Sequence, residues 1–151
     1  MVPVEPIAVN KASKMPRMST AIHRRRRPAL LPSTLLYCAA SLLHFVHNGL
    51  YLRDYPNLPA SLTTGDVYWA WLGVTAIGAA GYGLYLRDFR KPGLCVLAVY
   101  AVLGFAGLDH YVVAPVAAHS IAMNATIVFE ILAATLLLSV VAHALFKRRR
   151  P

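Results

Sequence analysis

Residues 24–52 read RRRRPALLPSTLLYCAASLLHFVHNGLYL: four consecutive arginines, then an apolar stretch, 29–52, with no Lys, Arg, Asp or Glu. A hydrocarbon core roughly 30 Å thick is crossed by about 20 helical residues. The stretch therefore predicts a transmembrane helix over 29–52. A cleaved secretory signal is the rival, since a basic cluster before an apolar run is its pattern. Its apolar core spans only about 7–15 residues, however. Tyr37 before Cys38 is also too bulky for lipoprotein processing. The helix is expected to be retained.

Working outward, residues 1–28 carry prolines, no apolar periodicity and the run Arg24, Arg25, Arg26, Arg27. They read as a flexible basic arm, within which Met15 and Met18 stand as alternative starts. Asp54, Pro56 and Pro59 interrupt the chain after 52. A second apolar run covers 67–86 and ends on Arg87-Asp88-Phe89-Arg90-Lys91. A third covers 92–110. A connection containing Pro115 leads to a fourth, 119–146, before the tail Lys147, Arg148, Arg149, Arg150. The expected fold is all-α: a four-helix transmembrane bundle with a basic arm (1–28) and a basic tail (147–151).

Composition agrees. Apolar residues form 58% of the 151 and charged residues 14%, against about 45–50% and a quarter in soluble domains. So few charges cannot coat a soluble protein of this size. The net charge of +9 raises nucleic acid as a partner, but the charges sit in blocks at the ends of apolar runs rather than along a stripe. They read instead as anchors on anionic lipid headgroups. With four spans, fourteen of the fifteen basic residues fall on one side, Arg53 being the exception. An excess of Lys and Arg marks the cytoplasmic side, so both termini are expected there. Arg87, Arg90 and Lys91 would lie with them. Tyr51, Tyr55, Tyr68, Trp69, Trp71 and Tyr111 gather near the opposite ends, where interfacial aromatics belong. Cys38 and Cys95 are too few for a disulfide framework and read as packing residues.

Small residues predict where helices meet. Gly73, Ala76, Ala80 and Gly83 recur at heptad spacing, and Gly104 and Gly107 lie one turn apart. Either face would serve contacts within the bundle, in a homo-oligomer or in a larger membrane complex.

Polar residues carry the functional reading, because ionisable groups within a bilayer are costly and default to function. His44 and His47, at i and i+3, share a face with Tyr37, Ser41, Asn48, Tyr51 and Tyr55. His119, Met123, Thr126 and Glu130 line a face of the last helix, and Asp109 and His110 close the third. At a rise of 1.5 Å per residue, His44, His47, Asp109, His110 and Glu130 all fall roughly 21–27 Å from the basic side. His119 projects beyond them, into the outer connection. Three helices thus bring two carboxylates and three histidines to one level in the outer third of the membrane.

His44, His47, Asp109, His110 and Glu130 are ligand types for a divalent metal. The motifs of known centres are missing, including the Glu-x-x-His pair of di-iron bundles. Haem is a variant, with His44 or His47 facing His110 and room at Gly104 and Gly107. A proton or small-molecule half-channel is a further reading. It would be closed inward, since Thr135 and Ser139 are the polar residues of the last helix between Glu130 and His143. The structural alternative is that these groups hydrogen-bond across helices and fix their register.

The combination His44-Phe45-Val46-His47-Asn48, Gly107-Leu108-Asp109-His110-Tyr111, Ala118-His119, Met123-Asn124-Ala125-Thr126 and Glu130 resembles small uncharacterised bacterial four-helix inner-membrane proteins. The resemblance implies a bacterial inner-membrane location and no activity. The sequence thus leads to a binding or accessory component rather than an enzyme, with a metal- or haem-binding oxidoreductase subunit as its rival.

Overall fold

A computed structural model describes residues 29–146. The arm with Arg24 to Arg27, and the tail with Lys147 and Arg148 to Arg150, lie outside the described residues. Those described are helical with no strand: α1 (Leu30–Leu50), α2 (Thr64–Leu86), α3 (Arg90–Leu103), α4 (Asp109–Val113) and α5 (Ile121–Phe146), with short 3-10 turns between some of them. The turn Gly104–Leu108 joins α3 to α4, so Arg90–Val113 runs as one 24-residue span. Four long helical segments therefore stand in a bundle. Leu30–Leu50, Arg90–Val113 and Ile121–Phe146 are long and apolar enough to cross a membrane. α2 matches them in length but is diluted by five glycines, three tyrosines and two tryptophans.

Helix boundaries follow local chemistry. α2 starts three residues before the expected Val67, because Thr63 and Asp66 form a reciprocal capping box. The Thr63 N–H donates to Asp66 Oδ2 at 2.9 Å and the Asp66 N–H to Thr63 Oγ1 at 3.2 Å. Hydrogen bonds from the Thr63 side chain and backbone hold the Asp66 carboxyl below the ordinary carboxylate range. α2 ends where Asp88 takes a left-handed φ of 66° and the Phe89 N–H donates to the Leu84 carbonyl at 3.1 Å, a Schellman closure. α5 starts at Ile121 rather than at 119, with the Met123 N–H donating to Ser120 Oγ at 3.2 Å.

The close seam between α2 and α3 uses other glycines than the heptad pattern suggests. A Cβ on Gly93 would lie 2.6 Å from Tyr85 N and 2.7 Å from the Gly81 carbonyl, and one on Gly78 would meet the Tyr100 ring at 2.6 Å. Gly73 and Gly83 have open space beside them, and Ala76 and Ala80 are exposed. The heptad face points away from the bundle because the Tyr100 ring needs the notch at Gly78, on another side of α2.

The bundle has two ends. At the basic end lie Arg87, Arg90 and Lys91; at the distal end lie the 51–63 and 114–120 connections. Leu30, Leu94, Leu97, Leu137 and Val141 fill the basic half of the core. The distal half buries Ser41, His44, Thr126 and Glu130 beside Met123 and Ile127. Large apolar side chains meanwhile stand outward on α1, α3 and α5, with Leu35 59%, Val99 53% and Leu132 62% exposed. Leucines thus stand outward as well as in the core, and that outer apolar surface departs from the polar coat of a soluble bundle.

Candidate functional site: a histidine–tyrosine–glutamate cluster

α1 turns one polar stripe into the bundle: Ser33, Thr34, Tyr37, Ser41 and His44 are buried and Asn48 is half-buried. Towards the basic end the stripe satisfies itself, since Thr34 Oγ1 donates to the Leu30 carbonyl at 2.7 Å and Ser33 Oγ to the same oxygen at 3.1 Å. The Tyr37 ring then packs on Tyr100 with centroids 4.5 Å apart. A Cβ on Gly104 would come within 2.7 Å of the Tyr37 hydroxyl and of Ala134 Cβ. Tyr37, Gly104 and Ala134 are thus the floor that separates the apolar half from the polar one.

Above this floor, His44 and Glu130 face each other from α1 and α5, Nε2 to Oε2 at 3.7 Å, each 2% exposed. Ser41 and Tyr37 stand beside the Glu130 carboxyl. On the far side of His44, Thr126 Oγ1 donates its proton to the Met123 carbonyl at 3.0 Å. It can then only accept from His44 Nδ1, 3.3 Å away. In the neutral ring the Nε2 of His44 therefore bears the lone pair. Asn48 agrees: its Nδ2 donates to His44 Nε2 at 3.0 Å and to His110 Nε2 at 3.5 Å. One amide thereby bridges histidines of α1 and α4.

Rings continue the cluster towards the distal surface. His44 lies edge-on to His110 at 5.5 Å and His110 to His119 at 6.1 Å, while Tyr55 packs at a tilt against His110 at 4.9 Å. His47 Nδ1 and the Tyr55 hydroxyl are hydrogen-bonded at 2.9 Å. Burial is the main cause pushing the Tyr55 phenol up to about 12. His119 Nδ1 donates to the Pro115 carbonyl at 3.1 Å, which leaves Nε2 as a lone pair; that atom is buried with no partner in the protein. Tyr111 packs on His119 at 5.5 Å and its hydroxyl donates to Asn124 Oδ1 at 2.8 Å. Beside the cluster, Gly49, Leu50, Tyr51, Arg53, Asp54, Thr63 and Thr64 are among the residues that line a surface recess of about 260 Å³.

Most residues that the sequence assigns to the polar site do meet, and two stand apart from it or at its rim. Asp109 is exposed, outside the cluster. Tyr51 is 49% exposed and packs at a tilt against His47 at the rim. His119 lies in the outer connection as expected, but it is buried at 6% exposure, because the 3-10 turn Val116–Ala118 folds it back over His110. Tyr100 and Tyr111 join the site through contacts that no spacing announces. Cys95 is exposed rather than packed, and Cys38 is half-buried.

The arrangement bears on the cofactor readings. Among the described residues no three His, Cys, Asp or Glu side chains group closely enough to hold a metal ion. The room expected for haem at Gly104 and Gly107 is occupied, by Tyr37 and Ala134 at the first and by Glu130 Oε2 and Ile127 at the second. No protein-family model, curated protein or solved structure matches the chain. The site is therefore read from its own geometry.

Proposed function

We propose that this chain is a multi-pass protein of a bacterial inner membrane, crossing it four times with both termini cytoplasmic. Its distal end then faces outward, and the histidine–tyrosine–glutamate cluster serves as the polar site of a binding or accessory component. The supporting observation is the divided core. Burying His44 and Glu130 away from water costs several kcal/mol unless they are paired. Polar groups from α1, α4, α5 and both distal connections converge above an apolar floor. The basic half, packed with Leu94, Leu97, Leu137 and Val141, offers no polar continuation, which supports a site belonging to the distal side. The basic anchors would contact anionic headgroups, and the exposed Gly73–Ala76–Ala80 face of α2 suits a partner helix or a second copy.

A divalent metal is the second reading, and one observation favours it: the buried Nε2 lone pair of His119, whose Nδ1 is fixed by a backbone carbonyl as in ligating histidines.

Two measurements test these readings. In intact cells a membrane-impermeant maleimide should label Tyr51→Cys and leave Phe89→Cys unlabelled until the cells are opened; the reverse pattern overturns the orientation. Protein purified from its native membrane should carry neither stoichiometric metal nor a Soret band. Stoichiometric metal that falls in His119→Ala would replace the accessory reading with the metal one.

A further inference from the structure

The 51–63 connection carries charges that the histidine cluster does not use. Its 3-10 turn, Leu52–Asp54, sets Arg53 and Asp54 next to each other. At three residues per turn, successive side chains diverge by about 120°. The two do not neutralise each other: among the described residues neither is in an ion pair. Both nevertheless line the recess of about 260 Å³ beside the cluster, together with Leu50 from the end of α1 and Thr63 and Thr64 from the start of α2. We propose that this recess seats the headgroup of a phospholipid that carries a primary ammonium, with Arg53 on the phosphate and Asp54 on the ammonium. This rests on the membrane reading above and names a ligand for the distal end outside the cluster.

The recess keeps its shape without the two charged groups. Thr64 Oγ1 donates to the Gly49 carbonyl at 3.1 Å and ties α2 to α1. Asn57 Nδ2 donates to the Val113 carbonyl at 2.9 Å and holds the connection to α4. Asp66 is not available to a ligand, because the Thr63 backbone and hydroxyl occupy its carboxylate. Arg53 Nη1 lies 3.4 Å from the Ala60 carbonyl, beyond the usual range for an N–H donor. Its planar fork is therefore free to take a phosphate in the bidentate manner.

Size, position and charge narrow the occupant. Drug-sized ligands fill about 300–1,000 Å³, and this smaller recess suits a headgroup whose chains stay outside. Leu50 is 68% exposed, so the recess borders the apolar surface of α1, along which an acyl chain can continue. Of the four Lys and Arg residues described, Arg53 alone stands at the distal end. Arg87, Arg90 and Lys91 at the other end attract anionic lipid, whereas one charge of each sign matches a zwitterion. A primary ammonium also donates hydrogen bonds to a carboxylate, which a trimethylated one cannot do.

Native mass spectrometry of the full chain, titrated in detergent with phosphatidylethanolamine and phosphatidylcholine, tests this. Both lipids are neutral overall, so the basic arm and tail do not distinguish them. Phosphatidylethanolamine should bind more tightly by roughly 1.5- to 5-fold, the scale of an exposed charge pair. Asp54→Asn should erase the preference, and Arg53→Gln should weaken both lipids by a similar factor. Equal affinities in the parent, or a preference that survives Asp54→Asn, overturns the proposal. Soluble glycerophosphoethanolamine should bind far more weakly than the lipid; equal binding would make the occupant a solute and overturn the lipid assignment. In right-side-out vesicles containing phosphatidylethanolamine, a membrane-impermeant carbodiimide added outside should join the ammonium to Asp54 as an amide, with loss of water, and spare the exposed Asp109. Coupling at Asp54 only when the reagent is inside overturns the outward reading and leaves the headgroup site standing. Coupling from outside at Asp109 but not at Asp54 overturns the site and leaves the orientation standing.

Discussion

Replacing each of two glycines in one 3-10 turn by alanine separates packing from propensity. Gly104 and Gly107 both lie in Gly104–Leu108, and Gly104 has φ −67° and ψ −14°, which alanine adopts freely. At Gly107 the added methyl would rest 3.5 Å from Glu130 Oε2 and 3.7 Å from Ile127 Cγ2, ordinary contact distances. Gly107→Ala should therefore gain the ~0.4–1 kcal/mol that follows from a less flexible unfolded chain. At Gly104 the methyl would meet Ala134 Cβ, Tyr37 Cε2 and the Tyr37 hydroxyl at 2.7 Å each. Ala134 is fixed on α5, and the Tyr37 ring is fully buried against Tyr100. Neither can rotate away, so the turn and α5 must part by about 0.7–1 Å to restore contact distance. Overpacking of this kind costs about 1–3 kcal/mol, and the same entropic gain offsets part of it. Gly104→Ala should thus be the less stable of the two variants by about 1–3 kcal/mol. Equilibrium unfolding of both variants of the full chain in one detergent, followed by helical circular dichroism, reads the difference. Equal stabilities would mean that Tyr37, Gly104 and Ala134 do not form a packed floor, and the division of the core would go with them.

Gly93→Ala should destabilise by a similar amount, since its methyl would strike backbone atoms of Tyr85 and Gly81, whereas Gly73→Ala, with nothing within 4 Å, should be neutral or gain up to about 1 kcal/mol; melting of the two side by side checks this. Asp88→Gly should stabilise the turn after α2 by on the order of 1 kcal/mol or less, because glycine takes the left-handed φ without strain; the exposed Arg90–Asp88 contact it removes contributes little. The Asp66 carboxyl is held below its ordinary range, so its contribution is complete above the unfolded carboxylate pKa and is lost as the pH falls through the lower folded value. Amide exchange at the start of α2 should accelerate over that acid window in the parent, and Thr63→Ala should abolish the dependence. Tyr55 has the opposite sign: burial raises its phenol, so stability should decline as the pH climbs from the ordinary tyrosine value of about 10 towards 12, and Tyr55→Phe should flatten that limb.

Much of the bundle was legible because apolar length and charge punctuation are properties of the chain itself. The four long segments lie where runs of uncharged residues and the basic turn at Arg87–Lys91 place them. The first-turn details were harder to read. Thr63-x-x-Asp66 is a capping signal, but the glycine and threonine around it obscured the start of α2. Which small face meets a neighbour was not legible at all. Gly73-Ala76-Ala80-Gly83 and Gly78-Gly81 lie on different faces of one helix, and only the bulk of Tyr100 on α3 chooses between them. The burial of His119 within the outer connection was not legible for a similar reason: counting residues along a straight helix cannot register a 3-10 turn that folds the chain back.

The stripe on α1 shows where reading by depth stops being enough. Ser33, Thr34, Tyr37, Ser41, His44 and Asn48 share one side of the helix over nearly its whole length, a pattern that suits a conduit as well as a site. What decides is where each hydroxyl spends its proton. Ser33 and Thr34 spend theirs on the Leu30 carbonyl of their own helix, as membrane serines and threonines can do without a partner helix. From Thr34 to Ser41 the axis rises about 10 Å, and that interval is filled by the Tyr37 ring together with Leu97, Leu137 and Tyr100. One bridging water reaches only about 5.6 Å between the groups it joins. The polar track therefore breaks at Tyr37. Everything from Ser41 to Tyr55 belongs with the distal end of the bundle, and His44 and Glu130 lie buried just above the Tyr37–Gly104–Ala134 floor.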